Sequence, residues 1–273
     1  MAVDNFTDAF AKLKRANEHM QTLGTLLPKE GFVPPTRTEY RPDEGLLVWV
    51  VEDGADLPSE IPLVLGDIVH NLRSSLDHAW WTLASRKLGR APNEQEAPRL
   101  QFPIRKPNGG FDHNSRVKEV GPKAAAIARD AQPPAQWSPH ELGTEFDYTP
   151  HPLGALRYLS NIDKHRQLHV AFHTMSSVDV SEPPFTVLSD CIIDPVHQAN
   201  GTHVYLPGID FQLSAGTDLV GLRVVPKGPQ PSAHWPYVVN ATVAIEPRWK
   251  VRPLVGSMFD DVAGVVASFS QLL

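Results

Sequence analysis

An α+β fold, a helical bundle core joined to a mostly antiparallel β-rich half, is predicted by three observations on this 273-residue chain. Four segments carry apolar residues at steps of three and four, the spacing of an amphipathic helix. The stretch 168–250 instead alternates, or runs in short β-branched pieces punctuated by Gly201, Gly208 and Gly216. The segment from Leu254 to the end returns to helical spacing. Helices first, then strands, then a helix is the segregated order of α+β proteins.

Each element has its own justification. Phe6, Phe10, Leu13, Met20, Leu23 and Leu27 predict a helix over 4–27, which Pro34-Pro35 bars from continuing. Segments 36–40 and 46–51 read as strands, and Pro42-Asp-Glu-Gly45 between them supplies turn chemistry for a β-hairpin. The clearest helix covers 60–88. Ser59 is its expected N-cap, Glu60 and Pro62 suit its first turn, and Gly89 ends it. Its apolar stripe is Leu65, Ile68, Val69, Leu72, Leu76, Ala79, Trp80 and Leu83. Residues 90–120 are rich in Pro, Gly and Asn and predict loop, with an extended piece at 100–104. An Ala-rich helix over 122–131 and a loop over 132–150 follow. Leu153, Leu156, Leu159 and Ile162 predict a helix over 152–164. Strands are expected at 168–172, 185–188, 191–193, 203–206, 219–225 and 238–245. The division expected is a helical core over 1–167 with the hairpin 36–51 inserted, a β-rich portion over 168–250, and a C-terminal helix within 251–273 packing back, all as one integrated domain.

Composition narrows the function. The chain is 41% hydrophobic and 21% charged, which suffices for a substantial core. A formal net charge of -6 argues against a general nucleic-acid coat, which leans on a basic surface, and leaves room for a local basic site. With Cys191 as the one cysteine, intramolecular disulfides and Cys-based metal clusters are excluded. Its Cys-Ile-Ile setting reads as packing rather than nucleophile. No apolar run approaches the roughly 20 residues of a membrane span, and Met1-Ala-Val-Asp-Asn does not resemble a signal peptide. A cytoplasmic protein without membrane partners is expected. Walker, GxGxxG, HExxH and GxSxG patterns are missing, and no cofactor is expected.

Two polar clusters carry the chemistry. On helix 60–88, steps of about 100° put His70, Arg73 and Asp77 in one column and Asn71, Ser74, Ser75 and His78 in the next. Arg73 and Asp77, four apart, are expected to pair. The second cluster is Asn161-Ile-Asp163-Lys164-His165-Arg166, with Arg157 one turn upstream. Cations there also suit the negative end of a helix dipole. Two amphipathic helices of one bundle would bring both clusters to a single pocket. Metal-independent RNA cleavage needs a base for the 2′-OH, a proton donor for the leaving oxygen and a cation for the phosphorane charge. His works near neutral pH, and Arg offers phosphate a bidentate fork. His78 and Arg73 would fill those roles, with Asp77 or Asn71 orienting them. Arg157, Asn161, Asp163, Lys164, His165 and Arg166 would bind substrate.

Arg73 and His78, with four residues between them on a bundle helix, resemble the Arg-x4-6-His motif of HEPN domains. Many members of that superfamily are RNases of toxin–antitoxin and phage-defence systems that work as dimers with two motifs facing. The resemblance implies an endoribonuclease acting as a homodimer, with RNA as substrate and an antitoxin or other protein as partner. It covers residues 60–88 directly. Ser74 stands where active members commonly carry Asn, Asp or His. The combination of Asn71-Leu-Arg-Ser-Ser-Leu-Asp-His78, Gln101-Phe-Pro-Ile104 and Asn161-Ile-Asp-Lys-His-Arg166 is also similar to a group of uncharacterised bacterial proteins.

Two further readings use the same residues. In one, the polar strip pins helix–helix register, and the protein is a non-catalytic module that binds a protein or nucleotide. In the other, His165, His169 and His173 would align along a continued helix as metal ligands. Against the second, 168–172 alternates like a strand, where residues four apart lie about 13 Å from each other.

Overall fold

The computed structural model describes residues 6–29, 35–52, 57–105, 111, 115–135, 137–139, 150–164, 168, 170–174, 186–196, 204–205, 212–213, 215–234, 241–245 and 249–273. The fold is α+β, with an N-terminal hairpin, antiparallel sheets and a final helix. It divides into two compact units.

The helical unit comprises Met1–Leu27, Ser59–Val170 and Ile245–Leu273. Its helices are α1 (Thr7–Leu26), α2 (Glu60–Leu88), α3 (Pro122–Asp130), α4 (Pro152–Asp163) and α5 (Val251–Ser270). The hub is α2, which packs against α1, α4 and α5. That follows from its composition: its apolar residues cover more than one face and leave a polar strip on the remainder. Ile61, Ile68, Leu72, Leu76, Ala79, Trp80 and Ala84 are fully buried. Gly89 ends α2 with φ at +68°, the left-handed cap that a side chain would strain. Ser59 does not cap the other end: its backbone is helical and its side chain makes no capping bond. The closing helix starts at Val251 rather than Leu254, because Pro253 falls in the first turn, where no amide donor is needed.

Aromatic packing ties the expected extended piece at 100–104 into this core. Phe102 is completely buried. Its ring meets Trp80 of α2 edge-on at 5.4 Å and lies 6.1 Å from Phe269 of α5, while Trp80 and Phe269 are 6.0 Å apart.

The β unit comprises Pro28–Pro58 and Ala171–Ala244. Strands β1 (Thr36–Arg41) and β2 (Leu46–Val51) form the expected hairpin. The next strands are β3 (Val170–Thr174), β4 (Thr186–Ser189), β5 (Cys191–Ile193), β6 (Val204–Tyr205), β7 (Gln212–Leu213), β8 (Asp218–Pro226), β9 (Ser232–His234) and β10 (Ala241–Ile245). One sheet has the order β1-β2-β8-β5, with β6 also on β8. In a second sheet β3 lies between β10 and β7, and β4 pairs with β9. Bidentate bonds of 2.6 and 2.7 Å from Arg41 to Asp218 cross-link the β2–β8 sheet.

The hairpin, expected as an insertion in the helical part, thus belongs with the β-rich chain. All six residues of β2 are buried, so this strand needs neighbours on both edges, and β8 provides the second. Strands β7, β9 and the two-residue β11 (Trp249–Lys250) were not foreseen. No helix among the described residues is long and apolar enough to cross a membrane.

Candidate functional site

Arg73 and Asp77 form the expected i, i+4 pair at 3.0 Å, with 17% and 29% of their side chains exposed. The pair has a third member. Arg73 Nη2 also donates to the Phe102 carbonyl at 2.7 Å, and the Phe102 N–H donates to Asp77 Oδ1 at 2.8 Å. One Arg–Asp pair therefore satisfies both backbone groups of a fully buried residue that no strand or helix serves. Burial pushes the Asp77 carboxyl above its ordinary range, against the pull of Arg73, the Phe102 N–H and Lys164.

His78 lies on the other side of Asp77. Five residues along a helix turn about 140°, so Arg73 and His78 flank Asp77 rather than stacking on each other. His78 opens, with Asp77, Ser74, Trp81 and Gln101, into a cleft of about 400 Å³. No side-chain hydrogen bond engages its imidazole among the described residues. Asp8 of α1 also lines this cleft, so it carries two carboxylates and one free imidazole.

The strip does not stay together. Asn71 is buried and donates to the Asp67 carbonyl at 2.8 Å, within its own helix, so it does not orient Arg73 or His78. Ser75 is fully buried and donates to the Ala9 carbonyl of α1 at 2.8 Å. Ser74 approaches His70 Nε2 at 3.4 Å. Thus Arg73 and Asp77 of the first column stay together, His70 lies exposed beside Ser74, and part of the second column serves helix packing.

Helix α4 packs on α2, but none of its residues lines the cleft that holds His78. Asp163 lies over Gly66, where an added Cβ would stand 2.6 Å from its Oδ1. Arg157 lies in the field of Arg73, and Lys164 in that of Asp77. The Arg157 guanidinium is half-buried and has no hydrogen bond or ion pair among the described residues. Burial first, then the repulsion of Arg73, lowers its pKa. Asn161, Asp163 and Lys164 are exposed at the end of α4.

His165 and Arg166 lie outside the described residues, as does His169. His173 falls in β3 and α4 stops at Asp163, so the three histidines do not lie along one helix. That removes the geometry on which their reading as a metal site rested. Among the described residues, no group of three or more His, Cys, Asp or Glu is placed to hold a metal ion.

Sequence reasoning missed the Phe102 backbone as a partner of Arg73 and Asp77, because backbone groups carry no sequence signal. It also missed Asp8, which arrives from another helix. Gln101 stood in a quoted motif without a role. In the comparisons with known proteins, no family model, curated protein or solved structure matches the chain.

Proposed function

We propose that this protein is a metal-independent endoribonuclease in which His78 transfers the proton and Arg73 faces the phosphate. The observation that carries this reading is the free imidazole of His78 in an open cleft, beside an Asp77 that is itself bonded to Arg73. His78 removes the 2′-OH proton, and the 2′-oxygen attacks phosphorus. The P–O5′ bond breaks, leaving a 2′,3′-cyclic phosphate and a 5′-OH once the leaving oxygen is protonated. One imidazole performs one of these proton transfers, and His78 of a second copy in a homodimer performs the other. That arrangement also answers the angular separation of Arg73 and His78 on one helix. Resemblance to HEPN domains agrees with it, and with a toxin or defence role checked by a protein partner.

The test is cleavage of total tRNA and a generic RNA in EDTA. Wild type is expected to cut and leave cyclic phosphate ends, and His78→Ala to lose activity by about 100-fold or more while melting normally. Equal cutting by both proteins would sink the assignment.

A second reading rests on a different observation: Arg73 Nη2 is committed to Asp77 and the Phe102 carbonyl. Here the pair is a clamp on the core, and the protein is a non-catalytic binding module. Arg73→Ala would then lower the melting temperature of a protein that cuts no RNA.

A further inference from the structure

We propose that the cleft beside His78 is a nucleobase pocket that selects guanine, with Trp81 as its stacking platform and Asp8 reading the base edge. This rests on the reading of the protein as a ribonuclease. It seats in the cleft the nucleotide whose 2′-OH His78 deprotonates, on the 5′ side of the broken bond.

The lining of the cleft carries the assignment. Ser74, Asp77, His78 and Trp81 lie three or four residues apart on successive turns of α2, so they share one face of that helix. Asp8 enters from α1, and Gln101 from the segment that follows α2. A volume of about 400 Å³ falls in the range of small-ligand sites. With two carboxylates and no Lys or Arg in its lining, the cleft disfavours a phosphate and suits a neutral group rich in donors. Trp81 supplies the apolar surface. It is half-buried and makes no ring contact or hydrogen bond among the described residues, whereas its neighbour Trp80 is spent on Phe102 and Phe269. An indole so placed in a polar cleft is a surface on which an unstacked base lies flat.

Edge chemistry selects the base. An ionised carboxylate only accepts, and its two oxygens suit two parallel N–H groups. Guanine offers such a pair on its Watson–Crick edge, N1–H beside the N2 amino group. Adenine and cytosine set one amino group beside a ring acceptor, and the N3–H of uracil lies between two carbonyls. Asp77 spends Oδ1 on Arg73 and the Phe102 N–H, while Asp8 is exposed and has no partner among the described residues. Asp8 is therefore the carboxylate free to take guanine, and the amide of Gln101, also without a partner there, suits its O6.

The test reads binding without catalysis. Four dinucleotides that differ in their 5′ base, and lack the 2′-hydroxyl on that nucleotide, cannot be cut by this route. Isothermal titration of wild type is expected to favour guanine over each other base by about ten-fold, the worth of one bidentate contact. Trp81→Ala is expected to weaken all four by about ten-fold and Trp81→Phe to keep most of the affinity, as stacking requires. Asp8→Asn, at an exposed position, is expected to melt as wild type does and to lose the guanine preference alone. Guanine-selective binding by a protein that cuts no RNA in EDTA supports the pocket and counts against the ribonuclease reading. Equal affinity for the four bases, or equal binding by wild type and a folded Trp81→Ala, overturns the pocket. If wild type still cuts RNA in that case, the ribonuclease reading stands without it.

Discussion

At the scale of single residues, the helical unit holds two carboxylates that burial pushes the same way but that differ in their partners. Asp77, half-buried, accepts from Arg73 and from the Phe102 N–H. Asp261 on α5 has no such donor: its Oδ2 is buried without a hydrogen-bond partner among the described residues, and so is Nδ1 of His151, the residue before α4. Burial raises the Asp261 carboxyl, opposed by His151, and lowers the His151 imidazole, opposed by Asp261. Each group is thus favoured in its neutral form. The signs follow. Folded protein holds the Asp261 proton more tightly than the unfolded chain. That contribution is complete below the ordinary Asp range and is lost as pH rises through the folded pKa. His151 contributes stability above the ordinary His range, which is lost as pH falls through its folded pKa. Asp261→Asn removes the first slope. It is expected to melt about 2–4 °C above wild type at pH 7, with the gap closing as pH falls through the acid range. Melting curves from pH 4 to 8 measure this, and a gap that ignores pH would mean that Asp261 is well paired.

At the scale of elements, two glycines separate contacts that fix helix packing from contacts that merely pass. A Cβ on Gly154 of α4 would sit 2.9 Å from three atoms of the indole of Trp137, a buried and bulky ring. Gly154→Ala is expected to cost about 1–3 kcal/mol, as overpacking does. A Cβ on Gly66 meets only the carboxylate of Asp163, the end of an exposed side chain that can rotate away. Gly66→Ala is expected to be neutral, or to stabilise by up to about 1 kcal/mol through helix propensity. Chemical denaturation of both variants checks the pair, and equal losses would contradict it. Helices were the most legible elements for a related reason. The stripes on α2 and α4 are driven by burial, so period and structure coincide. The site was half legible. The Arg73–Asp77 pair and the approach of the 157–164 cluster to α2 follow from period alone. The inward turn of Asn71 and Ser75 does not, because a polar residue on an apolar helix can be satisfied by backbone, as both are. Short strands such as β7 and β9 leave too few residues for alternation to register.

At the scale of the whole chain, the helical unit is assembled from three separated stretches, and the last of them closes it. Sequence suggested one integrated domain because each stretch reads as ordinary core, and nothing in periodicity reveals which core a segment joins. The weight of the closure can be judged from α5. Leu254, Val255, Met258, Val262, Val266 and Phe269 are each 3% exposed or less. Burying side chains of this kind contributes about 1.5–3 kcal/mol apiece, which together matches or exceeds the roughly 5–15 kcal/mol by which whole domains are stable. Phe269 also completes the contact with Trp80 and Phe102, so its loss opens the side of the core that the Arg73–Asp77 clamp holds shut. A chain ending at Lys250 is therefore expected to lose cooperative melting of its helices, to bind a hydrophobic dye, and to show red-shifted tryptophan emission. Phe269→Ala, which removes one ring and keeps the helix, is expected to cost about 3–5 kcal/mol and to retain a single transition. If the shortened chain instead melted cooperatively near the full-length temperature, α1, α2 and α4 would be a self-sufficient bundle, and α5 would be an accessory to the core rather than its closure.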